Sequence, residues 1–244
     1  MKLLLVDAGN TAVKWTLTPV DRFEVGKVEV HPVEATEGWF PLLEKTVLKE
    51  RPEEVLVSSV KPSLNELFKK LPAEVEVPGA TQVARVMPTL YRTVETLGVD
   101  RLLNALGATC YADTFAVVSV GTAVVVDAVK NGIHQGGSIF LGPQKHLRCL
   151  HRSAEQLPQV GTEPLPPPGK TTAEALSSGV WWSLKYSVEG FLNLYRTLFG
   201  TKVAILTGGH SKTLLNLLKP EGYRLKHDPF LTFRGLYLYH LKTR

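Results

Sequence analysis

Blocks of apolar and alternating residues along the chain predict an opening series of strands. Residues 2–7 form an apolar run that ends at Asp7, which is typical of a buried central strand. A tight turn at residues 8–10 and an alternating segment at 11–17 predict a second strand paired with the first, and 22–30 predicts a third. The chain is therefore expected to open with an antiparallel meander.

Helical and strand patterns alternate after this meander. The predicted elements are a helix at 34–50, a strand at 55–57, a helix at 63–71, a strand at 74–77, a long loop at 78–97 and a helix at 98–112. Such alternation is typical of a mixed α/β sheet covered by helices. Long loops in compact domains are often functional, so the segment 78–97 is a candidate for part of a site.

The opening pattern then repeats. Predicted elements of the second half are strands at 115–120, 123–129 and 133–140, helices near 142–156 and 172–199, a strand at 203–206, a short helix and a last helix at 229–242. The Asn131-Gly132 pair is a strong hairpin signal within this series. We therefore predict a duplicated α/β unit with a central cleft, divided into an N-terminal lobe, 1–113, and a C-terminal lobe, 114–244.

Composition and charge narrow the classes of function. The net charge of +5, from 28 Lys and Arg against 23 Asp and Glu, suits phosphorylated substrates, whereas no zinc-finger, basic-zipper or RNA-binding signature predicts nucleic-acid binding. No apolar stretch is long enough to predict a membrane span. The two cysteines form neither a CxxC pair nor a disulfide framework, which fits a reducing cytosol and a cytoplasmic location.

The first candidate for chemistry is the turn Asp7-Ala8-Gly9-Asn10-Thr11. Turn amides and the side chains of Asn10 and Thr11 can donate to phosphate oxygens, and Asp7 at a strand end can hold Mg²⁺ directly or through water. Lys14 on the next strand could reach a phosphate. Taken alone, the same residues also fit a plain hairpin with an Asx turn.

Two further turns strengthen the prediction of phosphate binding when they are taken together with the first turn. Gly121-Thr122 follows the strand that opens the second half, and Thr207-Gly208-Gly209 follows an apolar strand and precedes a helix. Alone, the first fits a hairpin turn and the second an ordinary helix start. Together with the first loop, in this order, they are typical of actin-like kinases with opposed phosphate loops.

The segment Gly98-Val99-Asp100-Arg101 opens a predicted helix. A carboxylate there could accept a proton from a substrate hydroxyl, and the adjacent arginine could bind a substrate carboxylate in bidentate fashion. The alternative is a solvated acid–base pair at a helix start.

Several segments together resemble the type III pantothenate kinases. They are DAGNTAVK, LGVDR, VGTAVVVD, GGSIFLG, KTTAEALSSG and TGG, and they occur in the family's order from Asp7 to about Leu238. The resemblance implies two ribonuclease-H-like, actin-like ATPase lobes. The N-terminal lobe would carry the phosphate loop and part of the substrate site, and the C-terminal lobe would carry nucleotide and dimer contacts. The resemblance also implies ATP-dependent phosphorylation of pantothenate to 4'-phosphopantothenate, the first step of coenzyme A biosynthesis.

The resemblance also assigns roles to single residues. It implies that Asp100 is the general base, that Asp7 holds Mg²⁺, and that the enzyme is a homodimer activated by K⁺ or NH₄⁺. The residues expected to bind pantothenate are Tyr91, Gly98, Asp100, Arg101 and Thr172. The residues expected to bind ATP are Asp7, Ala8, Gly9, Asn10, Thr11, Ala12, Val13, Lys14 and Thr122.

The chain departs from the family pattern at several positions. The family's cation-binding aspartate is Ser119 here, and a neutral hydroxyl is expected to weaken a monovalent-cation site. The other departures are Val94, Leu141, Thr171 and the Val124-Val125 run. They leave two alternatives to ATP-dependent pantothenate phosphorylation, which are a non-catalytic homologue acting as a transcriptional accessory factor and a kinase for another small hydroxy acid.

Overall fold

The first five strands of the chain form one sheet in the computed structural model, which describes residues 1–244. They are β1 (Lys2–Ala8), β2 (Ala12–Pro19), β3 (Glu29–Pro32), β4 (Glu54–Ser59) and β5 (Val75–Glu76), in the order β3-β2-β1-β4-β5. β1 pairs antiparallel with β2 and parallel with β4. The carboxyl ends of β1 and β4 therefore lie side by side.

The second sheet contains the remaining strands. They are β6 (Phe115–Val120), β7 (Ala123–Lys130), β8 (Ile133–Leu141), β9 (Val203–Thr207) and β10 (Arg224–His227), in the order β10-β9-β6-β7-β8. β6 pairs antiparallel with β7 and parallel with β9, as β1 does with β2 and β4. The predicted duplication of an α/β unit is confirmed.

Eight α-helices cover the two sheets. They are α1 (Thr36–Glu50), α2 (Asn65–Phe68), α3 (Ala80–Val83), α4 (Val99–Ala108), α5 (Pro143–Ser153), α6 (Thr172–Phe199), α7 (Ser211–Leu217) and α8 (Leu231–Thr243). None of them combines the length and the apolar character that crossing a bilayer demands.

The two faces of the first sheet carry different helices. Trp39, Leu43 and Val47 of α1 join a buried cluster with Val6 on one face of β1. Because side chains alternate along a strand, Leu3, Leu5 and Asp7 lie on the opposite face of β1. This face is covered by α4 and α8, which contact β1 and β4.

The second sheet has its core against α6. This helix begins after the N-cap Thr171, whose side chain accepts a hydrogen bond from Glu174 N, and ends at Gly200 in the left-handed conformation with φ of 79°. Its buried residues Trp181, Leu184 and Val188 pack on the alternating apolar residues of the sheet. The long predicted helix is therefore confirmed over its whole length.

The chain separates into two units of closely spaced residues. Met1–Cys110 and Phe230–Arg244 form the first unit, and Tyr111–Pro229 forms the second. The division made from the sequence placed the last helix in the C-terminal lobe, whereas α8 packs on α4, β1 and β4 of the first unit. The nucleotide and dimer roles given to the lobes stay predictions.

Some local predictions were wrong. The segment 22–30 is not a strand before Glu29, because Glu24 N donates to Thr18 Oγ1 and Gly26 N donates to Leu17 O, so the chain folds back in a loop. The predicted helix at 63–71 is a 3-10 turn at Pro62–Leu64 followed by the four residues of α2. The edge strand β10 was not predicted, because it has only four residues, Arg224–His227, and most of them are polar.

Candidate active site

The turn between β1 and β2 holds the predicted phosphate-binding residues of the first unit. Gly9 N donates to Ala12 O at 3.0 Å and closes the turn, which leaves Asn10 and Thr11 exposed at its tip. The side chains of Ala8 and Val13 are buried in the apolar cluster, so any contact from these two residues to a ligand would be made by the backbone.

Asp7 and Lys14 face each other across the two strands that this turn joins. Burial raises the pKa of the Asp7 carboxyl above its ordinary value, and the Lys14 ammonium opposes part of that shift. A partly desolvated carboxylate beside an ammonium group is a suitable environment for a polyphosphate with its divalent cation.

The first turn of α4 holds the predicted acid and base. Asp100 is half-buried, and its Oδ1 accepts a hydrogen bond from Arg101 N at 3.0 Å. A Cβ atom on Gly98 would lie 2.6 Å from this oxygen, so only glycine leaves the carboxylate its place. The lack of a side chain at Gly98 therefore allows the Asp100 carboxylate to lie where it does.

Arg101 is held by an aromatic ring from the loop before α4. Its side chain is 7% exposed, and its guanidinium carbon lies 5.2 Å from the centroid of the Tyr91 ring. This cation–π contact orients a planar group that can bind a carboxylate through two parallel hydrogen bonds. The structure thus brings together four predicted substrate residues, Tyr91, Gly98, Asp100 and Arg101.

The second unit contains a corresponding turn at the end of β6. Gly121 N donates to Ala123 O at 2.9 Å, and Thr122 O accepts from Gly142 N at 3.0 Å. The helix-start segment that follows β9 reaches the same point, because His210 N donates to Val120 O at 3.0 Å. Thr122 and the predicted Thr207-Gly208-Gly209 segment therefore meet at one end of the second sheet.

Gly208 is required for this meeting. Its φ is +95°, and an added Cβ would lie 2.6 Å from Val120 O. The nearby His210 packs its ring 6.3 Å from that of Trp181, measured between ring centroids. Burial lowers the pKa of His210, and Glu163 raises it in part.

Ser119 occupies in β6 the place that Asp7 occupies in β1. Each residue stands one before the last residue of its strand, and each is paired with both neighbouring strands. The neighbours of Ser119 are Val125 and Thr207. Of the two corresponding positions, only the one in the first unit therefore offers a carboxylate.

Thr172 lies at the first position of α6, within the second unit. It lines an apolar cavity of about 430 Å³ between α5 and α6. The other lining residues are His146, Leu150, Leu157, Ala175, Leu176, Gly179, Val180 and Ser183. Thr122 is not among them, so the structure does not bring these two predicted residues of the second unit into one cavity.

The protein has no group of three or more His, Cys, Asp or Glu side chains arranged to hold a metal ion. The donor set at Asp7 fits Mg²⁺ nonetheless, because Mg²⁺ in kinases is bound by one or two carboxylates together with substrate phosphates and water. The two register partners of Ser119, Val125 and Thr207, are uncharged, so none of these three residues offers a carboxylate to a monovalent cation.

Comparisons with a family model and with single relatives point to the same family. The model of the family described as type III pantothenate kinase matches residues 3–194. A type III pantothenate kinase of Aquifex aeolicus (strain VF5) is 32% identical over 250 residues, which cover 98% of this chain and 99% of the relative.

Solved structures share the fold at lower identity. A Campylobacter jejuni protein ascribed to the Baf family of transcriptional activators has a TM-score of 0.62 and 21% identity, with 98% of each chain covered. The ROK hexokinase of Thermus thermophilus has a TM-score of 0.52 and 14% identity, with 100% of each chain covered. These likenesses place the chain among the actin-like ATPase and sugar-kinase folds.

Proposed function

This chain belongs to the type III pantothenate kinase family and phosphorylates pantothenate with ATP in the first step of coenzyme A biosynthesis, and from that premise we propose the roles of its residues. The observation that carries the proposal is the arrangement of Asp100, Arg101 and Tyr91 around the start of α4. It offers a proton acceptor and a carboxylate ligand to a substrate that has both a hydroxyl and a carboxylate. A non-catalytic transcriptional role is not favoured.

Asp100 is the general base in this proposal. Its carboxylate accepts the proton of the pantothenate hydroxyl as the hydroxyl oxygen attacks the γ-phosphorus of ATP. A new O–P bond forms, the bond between the γ-phosphorus and the bridging oxygen breaks, and ADP leaves with that oxygen. Phosphoryl transfer depends mainly on positioning and charge neutralisation, so the placement of Asp100 by Gly98 matters as much as its basicity.

Arg101 binds the pantothenate carboxylate. A buried guanidinium is a strong bidentate partner because little water competes for it. Tyr91 fixes the plane of the guanidinium and supplies one wall of the substrate site. Thr172 is proposed to add a hydroxyl contact to the same substrate.

The β1–β2 turn binds the ATP phosphates. Backbone amides of the turn other than that of Gly9, together with the side chains of Asn10 and Thr11, donate to phosphate oxygens, while Lys14 neutralises their charge. Asp7 would hold Mg²⁺, which neutralises charge on the transferred phosphoryl group. Thr122 is proposed to contact ATP from the turn of the second unit.

Monovalent cations are proposed to have little effect. The pair Ser119 and Thr207 offers hydroxyl groups where a strong K⁺ or NH₄⁺ site would gain from a carboxylate. The enzyme is therefore expected to turn over without added K⁺.

A homodimer is proposed to form through α6. This helix leaves large apolar side chains at the surface, with Tyr186, Leu194 and Leu198 exposed by 60%, 48% and 55%. Light scattering tests this proposal, since Leu194→Glu should convert the dimer to a monomer. A wild-type chain that is monomeric at micromolar concentration would contradict it. We also propose a cytoplasmic location, supported by the cysteines Cys110 and Cys149, which are not joined in a disulfide.

The decisive experiment replaces Asp100 by asparagine and measures pantothenate-dependent ADP release. We expect the Asp100→Asn variant to bind pantothenate and to lose about 100-fold or more in turnover, as removal of a general base costs. Asp113→Asn, an exposed aspartate before β6, is the matched control and should keep full turnover. Retention of turnover in the Asp100→Asn variant would exclude Asp100 as the base.

A further inference from the structure

The hydroxyl of Ser58 is buried in the first unit without a hydrogen-bond partner. Ser58 is 1% exposed, and its Oγ makes no hydrogen bond in the protein. Burying a hydroxyl in this way disfavours folding, and such groups are rare in native structures. We therefore expect this hydroxyl, at the end of a strand, to gain a hydrogen-bond partner when a ligand binds and either supplies or reorients that partner.

The position of Ser58 identifies that partner. β4 runs parallel to β1, and Ser58 stands in register with Asp7. Register partners on adjacent strands have their Cα atoms about 5 Å apart and project their side chains from the same face of the sheet. The Ser58 hydroxyl and the Asp7 carboxyl are thus immediate neighbours on the face that α4 and α8 cover.

The neighbouring serine lies in a different environment. Ser59 is in register with Ala8, so its side chain projects from the opposite face of the sheet. Its hydroxyl is paired locally, since it donates to Lys61 O at 3.2 Å and accepts from Lys61 N at 3.3 Å. The two serines at the end of β4 therefore differ in both direction and hydrogen bonding.

We propose that Ser58 is a positioning residue for the Mg²⁺-bound nucleotide, and that its hydroxyl donates a hydrogen bond to the Asp7 carboxylate once that carboxylate holds the metal. Carboxylates that bind metals are themselves hydrogen-bonded, and this second layer orients them. The inference rests on the proposed function of Asp7. It gives the buried hydroxyl a partner that the ligand-free protein does not provide.

The test compares nucleotide binding with and without metal in the full-length protein. Ser58→Ala should weaken the affinity for a non-hydrolysable ATP analogue in the presence of Mg²⁺ by about 10–100-fold, the cost of losing such a second-layer contact. The affinity for the same analogue without Mg²⁺ should stay unchanged. Calorimetry measures both, and it does not depend on turnover.

Thermal unfolding of the ligand-free protein separates this role from a structural one. Removal of an unpaired buried hydroxyl should leave the melting temperature of Ser58→Ala equal to or above that of the wild type. A lower melting temperature would mean that the hydroxyl stabilises the fold and would overturn the proposal. Unchanged Mg²⁺-dependent affinity in Ser58→Ala would overturn it as well.

Three further variants complete the design. Ser59→Ala should bind the Mg²⁺-analogue as the wild type does, whereas equal loss in both alanine variants would contradict a specific role for Ser58. Ser58→Thr keeps the hydroxyl and should retain the affinity for the Mg²⁺-analogue. If this variant melted normally but bound the analogue weakly, the proposed role of Ser58 would also be contradicted. Asp7→Asn distinguishes the two proposals, because unchanged Mg²⁺-dependent affinity in that variant would refute the proposed function of Asp7 itself.

Discussion

A single methyl group at Gly98 should disable the enzyme without unfolding it. In Gly98→Ala the new Cβ would lie 2.6 Å from Asp100 Oδ1, whereas ordinary contact begins at 3.4 Å. The carboxylate must therefore move by about 0.8 Å, and it loses the 3.0 Å hydrogen bond from Arg101 N. A misplacement of about 1 Å at a reacting group can cost about 100-fold in rate.

Folding should tolerate the same change. Gly98 has φ of −57°, which alanine adopts without strain, and the group that must yield is the end of a side chain. Replacing glycine by alanine at a helix N-cap costs about 1 kcal/mol or less. We therefore expect kcat to fall by about 10–100-fold while the melting temperature changes by only a few degrees.

Steady-state assays of ADP release, with pantothenate varied at saturating ATP, measure the effect. Gly79→Ala is the matched control, because Gly79 also precedes a helix with negative φ and its added Cβ would come no closer than 3.7 Å to another atom. If Gly98→Ala kept kcat within about twofold of the wild type, the placement of Asp100 by Gly98 would not matter for turnover and the reasoning would be refuted.

Three other changes test separate parts of the structure. Tyr91→Leu should raise the KM for pantothenate about tenfold with a smaller change in kcat, because the Arg101 guanidinium loses the ring that orients it. Steady-state kinetics measure both constants, and a fall in kcat alone would contradict this prediction. Ser119→Asp should create a response of turnover to K⁺ that the wild type lacks, and a wild type already strongly activated by K⁺ over Na⁺ would disprove the premise. Gly235→Ala should destabilise the protein by about 1–3 kcal/mol in denaturant unfolding, because its Cβ would overlap Leu103 O where α8 meets α4. An unchanged denaturation midpoint would contradict this, because it would show that the two helices can move apart without loss of stability.

The sequence predicted the paired strands that open each half through its repeated pattern, and it predicted α6 within a residue at each end. Both succeed because the signals are local: the first is a periodic pattern bounded by glycine turns, and the second is a long apolar stripe with an N-cap and a terminal glycine. The predicted strand at 22–30 failed because a side chain, Thr18 Oγ1, captures a backbone N–H that a strand would have used.

The candidate site residues were named from the sequence and their roles stay predictions, whereas their geometry was only partly predictable. The motif resemblance identified Asp100 and Arg101, but the stacking of Tyr91 on Arg101 depends on the path of an irregular loop that no periodicity encodes. The orphan hydroxyl of Ser58 was not predictable either, because its neighbour Asp7 lies 51 residues away and is brought close only by the parallel register of β1 and β4. Contacts of this kind arise from sheet topology, which acts at long range in the sequence.

The discontinuous make-up of the first unit has a consequence for the newly made chain. Residues 1–110 leave the ribosome before the second unit, but the helix that covers β1, β4 and α4 lies at 231–243 and is synthesised after that unit. The second unit is a continuous segment, so it can complete its fold while the apolar side chains Leu3, Leu5 and Leu103 of the earlier segment still await their cover. Translation that stops before codon 230 would therefore release a chain with a finished second unit and an exposed, aggregation-prone first one.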